Sequence, residues 1–140
     1  MPIRVLLATV LLLAAALAAG CAHAGRRSDR LQAAQYAWSA AIRWGDFEGA
    51  WNLVDPKHRQ AHPLTPLELE RYRQVQISAY RELGAHAPDK FTAVREIEIG
   101  VINRHTLAER ILRYRERWRW DPEAGSWWIE GGLPDLWAGQ

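Results

Sequence analysis

The chain reads as an α+β protein in which N-terminal helices pack on an antiparallel sheet, after a signal peptide. Three observations carry this reading. An uncharged apolar run, Val5 to Ala19, follows a short segment whose one charge is Arg4, and leads to the only cysteine, Cys21. From Ser28 to Leu83 apolar residues recur at helical spacing between capping and stop signals. From Phe91 the period becomes two, and the pattern ends in a hairpin signal.

The apolar run of about 15 residues suits a secretory signal and is short for a bilayer span. Arg26, Arg27 and Arg30 follow it while only Arg4 precedes it, which disfavours an uncleaved anchor with an exported body. Leu17-Ala18-Ala19-Gly20-Cys21 resembles the lipobox of bacterial lipoproteins. That resemblance implies cleavage before Cys21, a diacylglycerol on its sulfur and usually a third acyl chain on the new N-terminus. Two or three chains give stable attachment where one is marginal. Ala22 follows the cysteine, and by the enteric sorting pattern the absence of Asp there implies transfer to the outer membrane. Residues 1–20 are then the signal, 21–27 a lipidated tether and 28–140 a single domain.

About 120 residues after cleavage suffice for one compact domain. Of 18 basic residues only Arg4 is lost with the signal, leaving 17 against 16 acidic ones, a balance that points away from nucleic acid. Acylation uses the only thiol, so no disulfide is expected. Eight tryptophans among 140 residues can build a core from few positions or line a pocket for flat or sugar-like ligands.

Ser28 or Asp29 can cap a first helix to about Trp44, with Leu31, Ala34, Trp38, Ala41 and Ile42 on one stripe. Gly45 is its stop, and Asp46 caps a short helix carrying Phe47, Trp51 and Leu53, ended by Asp55-Pro56. Thr65, Pro66 and Glu68 form a capping box with proline at the first helical position, between the staple residues Leu64 and Leu69. The helix they start is expected to run to Leu83, stopped by Gly84, and to bury Leu69, Tyr72, Val75, Tyr80 and Leu83.

Phe91, Ala93, Ile97, Ile99 and Val101 alternate with polar residues as in a half-buried strand, and Asn103-Arg104-His105 reads as a turn. Leu112, Tyr114, Trp118 and Trp120 alternate with Arg113, Arg115, Arg117 and Arg119. A helix from Thr106 also fits this segment, but it leads directly into a hairpin at Asp121-Pro122-Glu123-Ala124-Gly125, so a strand is expected. With Pro122 to Gly125 as the loop, Trp120 pairs Trp127 and Trp118 pairs Ile129 on the inner face. Trp128 then lies outside, opposite Arg119, whose guanidinium can stack on it.

The residues Ala41 to Trp51, read as helix, Gly-Asp and short helix, and the closing Trp118–Ile129 hairpin resemble the nuclear-transport-factor-two-like (cystatin-like) cone fold. The resemblance implies a curved sheet around the long helix and a pocket at the open end. Its members include ketosteroid isomerases, SnoaL-like cyclases and non-catalytic binding domains, so fold leaves function open.

The isomerase-like enzymes use a pocket carboxylate as base and a donor pair for the oxyanion. Glu96, Glu98, Glu109 and Glu130 fall on outer faces or beside arginines, and no fixed spacing links Tyr36, Tyr72, Tyr80 or Tyr114 to an acid. Glu116 shares the aromatic face of its strand. Burial would raise its pKa and let it act as a base, whereas pairing to an arginine would make it structural. Tyr114, Glu116, Trp118 and Trp120 are the candidate pocket or rim residues. His58-x-x-x-His62 could place two imidazoles on one helical face, but His62 precedes Pro63 and an exposed loop is the better reading. The arginine ladder could meet envelope phosphates or be a solvated face partly neutralised across the strands.

The expected function is therefore a periplasm-facing outer-membrane lipoprotein with a non-catalytic binding or accessory role. The alternatives are a small isomerase or cyclase and a purely structural lipoprotein. Expected partners are the membrane through the anchor and an envelope protein or small apolar ligand, without cofactor, metal or nucleic acid.

Overall fold

A computed structural model describes residues 2–139, apart from the side chains of residues 2, 4–6, 17–19 and 21. The elements are α1 (Pro2–Trp44), α2 (Phe47–Trp51), α3 (Pro56–Ala61), α4 (Pro66–Tyr72), β1 (Val75–Asp89), β2 (Thr92–Asn103), β3 (Glu109–Asp121) and β4 (Ser126–Ile129). The chain divides into two compact units, Met1–Ala33 and Ala34–Gln140, and the sheet with its core belongs to the second.

Helix α1 does not begin at Ser28 as expected, because the alanine- and leucine-rich residues before it are themselves strong helix formers. Ser28 and Asp29 lie inside that run, where no chain end calls for a cap. Among the described residues no helix is long and apolar enough to cross a membrane. Gly45, at φ +74°, supplies the left-handed stop that a side chain would resist. Asp46 caps α2 by accepting from Gly49 N at 2.8 Å. Helix α2 already ends at Trp51, with Asn52 as its C-cap and Leu53 beyond it. Asp55-Pro56 therefore does not end α2 as expected but starts α3, with the Asp55 carboxylate accepting from Lys57 N at 2.9 Å. His58 therefore sits on a helix, not in a loop, and His62 is that helix's C-cap.

The capping box of α4 is complete, but the helix ends at Tyr72 rather than Leu83. Val75 to Asp89 form the edge strand β1 instead. Val75, Ile77 and Tyr80 are buried, and Leu83 is 51 % exposed. A register shift between Ile77 and Ala79 turns Tyr80 inward, so the spacing of buried residues imitates a helix while the backbone is a bulged strand.

The four strands form an antiparallel sheet in the order β1-β2-β3-β4. The closing hairpin has the expected register, Trp118 with Ile129, Arg119 with Trp128 and Trp120 with Trp127. Its turn is held by the Asp121 carboxylate, which accepts from Glu123 N at 3.0 Å and Ala124 N at 3.2 Å. Trp38, Ile42, Ile97, Ile99, Trp118, Ile129 and Leu136 are all at most 1 % exposed and form the centre of the core. Trp38 meets Trp118 edge-on with centroids 6.2 Å apart. The C-terminal segment closes over the same interior. Tyr72 donates to Pro134 O at 2.9 Å, Arg110 donates to Leu136 O, and Trp137 packs on Tyr72 and under Arg71.

Candidate functional site

Strands β2 and β3 bring Arg95 and Glu116 directly opposite each other. Arg95 has the parity of Ala93, Ile97, Ile99 and Val101, and Glu116 that of Tyr114 and Trp118, so both point into the apolar interior. Burying these charges is tolerable only if they are paired and hydrogen-bonded, and they are. Arg95 donates from Nε to Glu116 Oε2 at 2.7 Å and from Nη2 to Oε1 at 2.8 Å, a bidentate fork. Trp118 Nε1 donates to Oε2 at 2.8 Å, and the Tyr80 hydroxyl donates to Oε1.

The network continues outward from this pair. Trp38 Nε1 donates to the Tyr80 oxygen at 3.0 Å. Arg95 Nη2 also reaches Ser39 Oγ at 3.0 Å and Gln35 O at 3.4 Å on α1, and Nη1 reaches Glu82 at 3.4 Å. Arg43 from α1 donates to Tyr80 O at 2.9 Å. The network thus ties the C-terminal part of α1 to β1, β2 and β3.

Its electrostatics favour neutral phenols beside a fixed carboxylate. Burial raises the Tyr80 pKa far above the ordinary tyrosine range, and the Glu116 charge and hydrogen bond raise it further. Tyr114 is raised strongly for the same two reasons, burial first and then the Glu116 charge. Tyr72 is pushed up to about 12, by burial and then by Asp135 and Glu68.

The arrangement occupies both oxygens of Glu116. They accept four hydrogen bonds among the described residues, about the full capacity of a carboxylate. The acid is fully buried and Trp118 is 1 % exposed, so they lie in the interior and not at a rim, while Tyr114 and Trp120 are half-buried. Trp120 packs on Trp127 with centroids 5.6 Å apart. Arg95 went unrecognised in the sequence. The signal was its parity, an arginine in step with the apolar face of its strand.

The other candidates lie apart from this pair. Tyr36 is 79 % exposed on α1. His58 and His62 lie with ring centroids 4.9 Å apart at a 47° tilt, and the Asp55 carboxylate, the nearest third ligand in sequence, is bonded to Arg119. Among the described residues no three His, Cys, Asp or Glu side chains group as metal ligands. Cys21 falls within α1, and its side chain is outside the described residues. The arginine ladder is largely neutralised, Arg115 by Glu96, Arg117 by Glu130 and Arg119 by Asp55, while Arg81 from β1 takes Glu98.

Among the described residues, three of the open clefts flanking the domain are lined by none of Arg95, Glu116, Tyr80 and Trp118, although Arg43 borders one of them. One of about 500 Å³ lies between α2 and α4, walled by Trp51 and Leu69. Another of about 410 Å³ is bounded by Trp44, Val75 and Arg104, and a third of about 370 Å³ by His86, Arg115 and Arg117.

No protein-family model matches the chain, and no curated protein matches it. Among solved structures, the chain is similar to an NTF2-like protein of unknown function in nutrient uptake from Rhodospirillum rubrum ATCC 11170. The two are 19 % identical with a TM-score of 0.46, over 78 % of this chain and 96 % of that one. The chain itself folds as an α+β protein, with helices and a four-stranded antiparallel sheet.

Proposed function

We propose that this protein is a lipid-anchored envelope lipoprotein whose folded domain binds a partner or ligand without catalysing a reaction. The observation that carries the non-catalytic part is the saturation of Glu116. A general base needs a free lone pair within reach of a substrate proton, and this carboxylate spends its oxygens on Arg95, Tyr80 and Trp118 inside a filled interior. The isomerase reading loses its one acid on the aromatic face.

The anchoring part rests on Cys21, the sole cysteine, placed after small residues at the end of an apolar run. Thioether acylation there would hold the domain at the membrane, and Ala22 favours outer-membrane sorting. Mass spectrometry of membrane-extracted protein is expected to find Cys21 as the acylated first residue. Gradient separation of the envelope is expected to place it with the outer membrane. An intact Met1 terminus, or a Cys21→Ser chain processed and sorted like the wild type, overturns this reading.

A further inference from the structure

The α2–α4 cleft has a composition that the core network does not explain. Its apolar surface comes from Trp51, Leu64, Pro66 and Leu69, and its polar surface from Glu48, Asn52, Glu70 and Arg73. The last four are exposed, and all end in a planar carboxylate, amide or guanidinium. Trp51 is half-buried and held by an edge-to-face contact with His58, centroids 6.0 Å apart. Its indole is therefore positioned before any ligand arrives, which lowers the ordering cost of binding. The volume, about 500 Å³, lies in the range of small-ligand sites.

The chemistry of these walls selects among ligands. Glu70 and Arg73 are already joined in an i,i+3 ion pair, so the rim presents no uncompensated cluster of one sign. A simple anion or cation gains little there. A neutral molecule with a flat C–H face and adjacent hydroxyl groups gains on both counts. Its face packs on the indole and leucines, and its hydroxyls pair with planar groups that donate and accept two hydrogen bonds at once.

We propose that the α2–α4 cleft is a saccharide-binding site, with Trp51 as the apolar platform and Asn52 and Glu48 as hydroxyl partners. This names the ligand class of the binding role proposed above, and it does not depend on the anchor. The ligand's source is either a glycan strand of the envelope or a free oligosaccharide.

The test uses the full chain in a detergent without a sugar headgroup. The probes are the N-acetylglucosamine–N-acetylmuramic acid disaccharide, maltotriose and, as a cationic control, spermidine. Tryptophan fluorescence and saturation-transfer NMR read the binding. Saturable binding of the disaccharide identifies an envelope glycan, and of maltotriose a free oligosaccharide. In either case Trp51→Ala is expected to abolish it, and Asn52→Ala to weaken it about three- to tenfold through a lost hydrogen bond, with an unchanged circular dichroism spectrum. Asn52 is exposed, so its variant keeps the test valid should Trp51→Ala unfold. Absence of saturable binding by both sugars, spermidine alone binding at Trp51, or sugar binding undiminished in the folded variants overturns the proposal. Sugar binding by a chain that carries no acyl group would remove the anchor and leave the site. An acylated chain blind to sugars would do the reverse.

Discussion

Neighbouring rungs of the β2–β3 ladder carry the same ion pair in opposite surroundings. Arg95 faces Glu116 and, one residue along, Glu96 faces Arg115. In the first pair Arg95 is 10 % and Glu116 0 % exposed, and in the second Glu96 is 40 % and Arg115 64 % exposed. The difference is parity alone, since successive residues of a strand point to opposite faces. Inside, each charge depends on its partner, because water cannot replace it. Outside, water competes for both ends and salt screens what remains. One pair specifies how helix and sheet fit together, and the other keeps a charged face soluble.

The sharpest way to break the comparison is to remove one member of the inner pair. Glu116→Ala leaves the buried Arg95 guanidinium with only the long 3.4 Å contact to the exposed Glu82 carboxylate as its ion pair, and also strips acceptors from Tyr80 and Trp118. The expected loss is about 3–5 kcal/mol, enough to unfold a small domain. The double variant Arg95→Met, Glu116→Leu removes both charges and is expected to recover the part of that loss due to the poorly paired charge, while the Tyr80 and Trp118 donors stay without their acceptor. Denaturant melts of single and double variants measure this. A stable, folded Glu116→Ala would mean that water reaches the pair.

The two faces of the closing hairpin supply the next contrast. Trp118 is 1 % exposed, packs on Trp38 and donates to Glu116, so Trp118→Ala is expected to cost about 3–5 kcal/mol. Trp128, one strand over and facing Arg119, is only half-buried, and its truncation is expected to cost well under half as much. Equal losses in melts would show that the outer indole is part of a second core.

These contrasts also mark what could be read from the sequence. Hairpin register was legible because a one-residue slip would bury arginines among the tryptophans. The caps at Asp46 and Thr65 were legible because they are local chemistry. The strand β1 was not. Val75, Tyr80 and Leu83 follow Leu69 and Tyr72 at spacings that fit one helical face, and the bulge after Ile77 erased the alternation that would have betrayed a strand. The inner pair was half legible. Glu116 stood out on its aromatic face, but Arg95 became its partner only through the register across the Asn103–Glu109 turn, a non-local fact.

Between the extremes sits Arg119–Asp55, with side chains 25 % and 12 % exposed. The Arg119 hydrogen bond holds the Asp55 carboxyl below its ordinary 3.8, against a smaller opposing effect of burial. A depressed folded pKa gives stability that is present above 3.8 and lost as pH falls through the folded value. Arg119→Gln is expected to cost on the order of 1 kcal/mol at neutral pH and to flatten the acid limb of the stability curve. Melts at pH 7 and at about pH 3 compare the two chains over that limb. An unchanged acid limb would assign the loss to other carboxylates.

The smallest effect belongs to Glu96–Arg115, and it closes the comparison from the outside. The pair shares the strands and the opposed register of Arg95–Glu116, so backbone and sequence separation are controlled. Burial differs, and with it the further hydrogen bonds that, among the described residues, only the inner pair makes. A double-mutant cycle with Glu96→Ala and Arg115→Ala is expected to return a coupling of about 0.2–1 kcal/mol at low salt. The coupling should shrink as ionic strength rises and the Debye length falls from about 10 Å at 0.1 M to about 3 Å at 1 M. The inner pair, which salt cannot reach, should keep its coupling over the same range. A salt-resistant coupling of several kcal/mol at Glu96–Arg115 would place that face out of solvent in the working protein. It would then be a docked surface, and the contrast between rungs would be between two buried pairs.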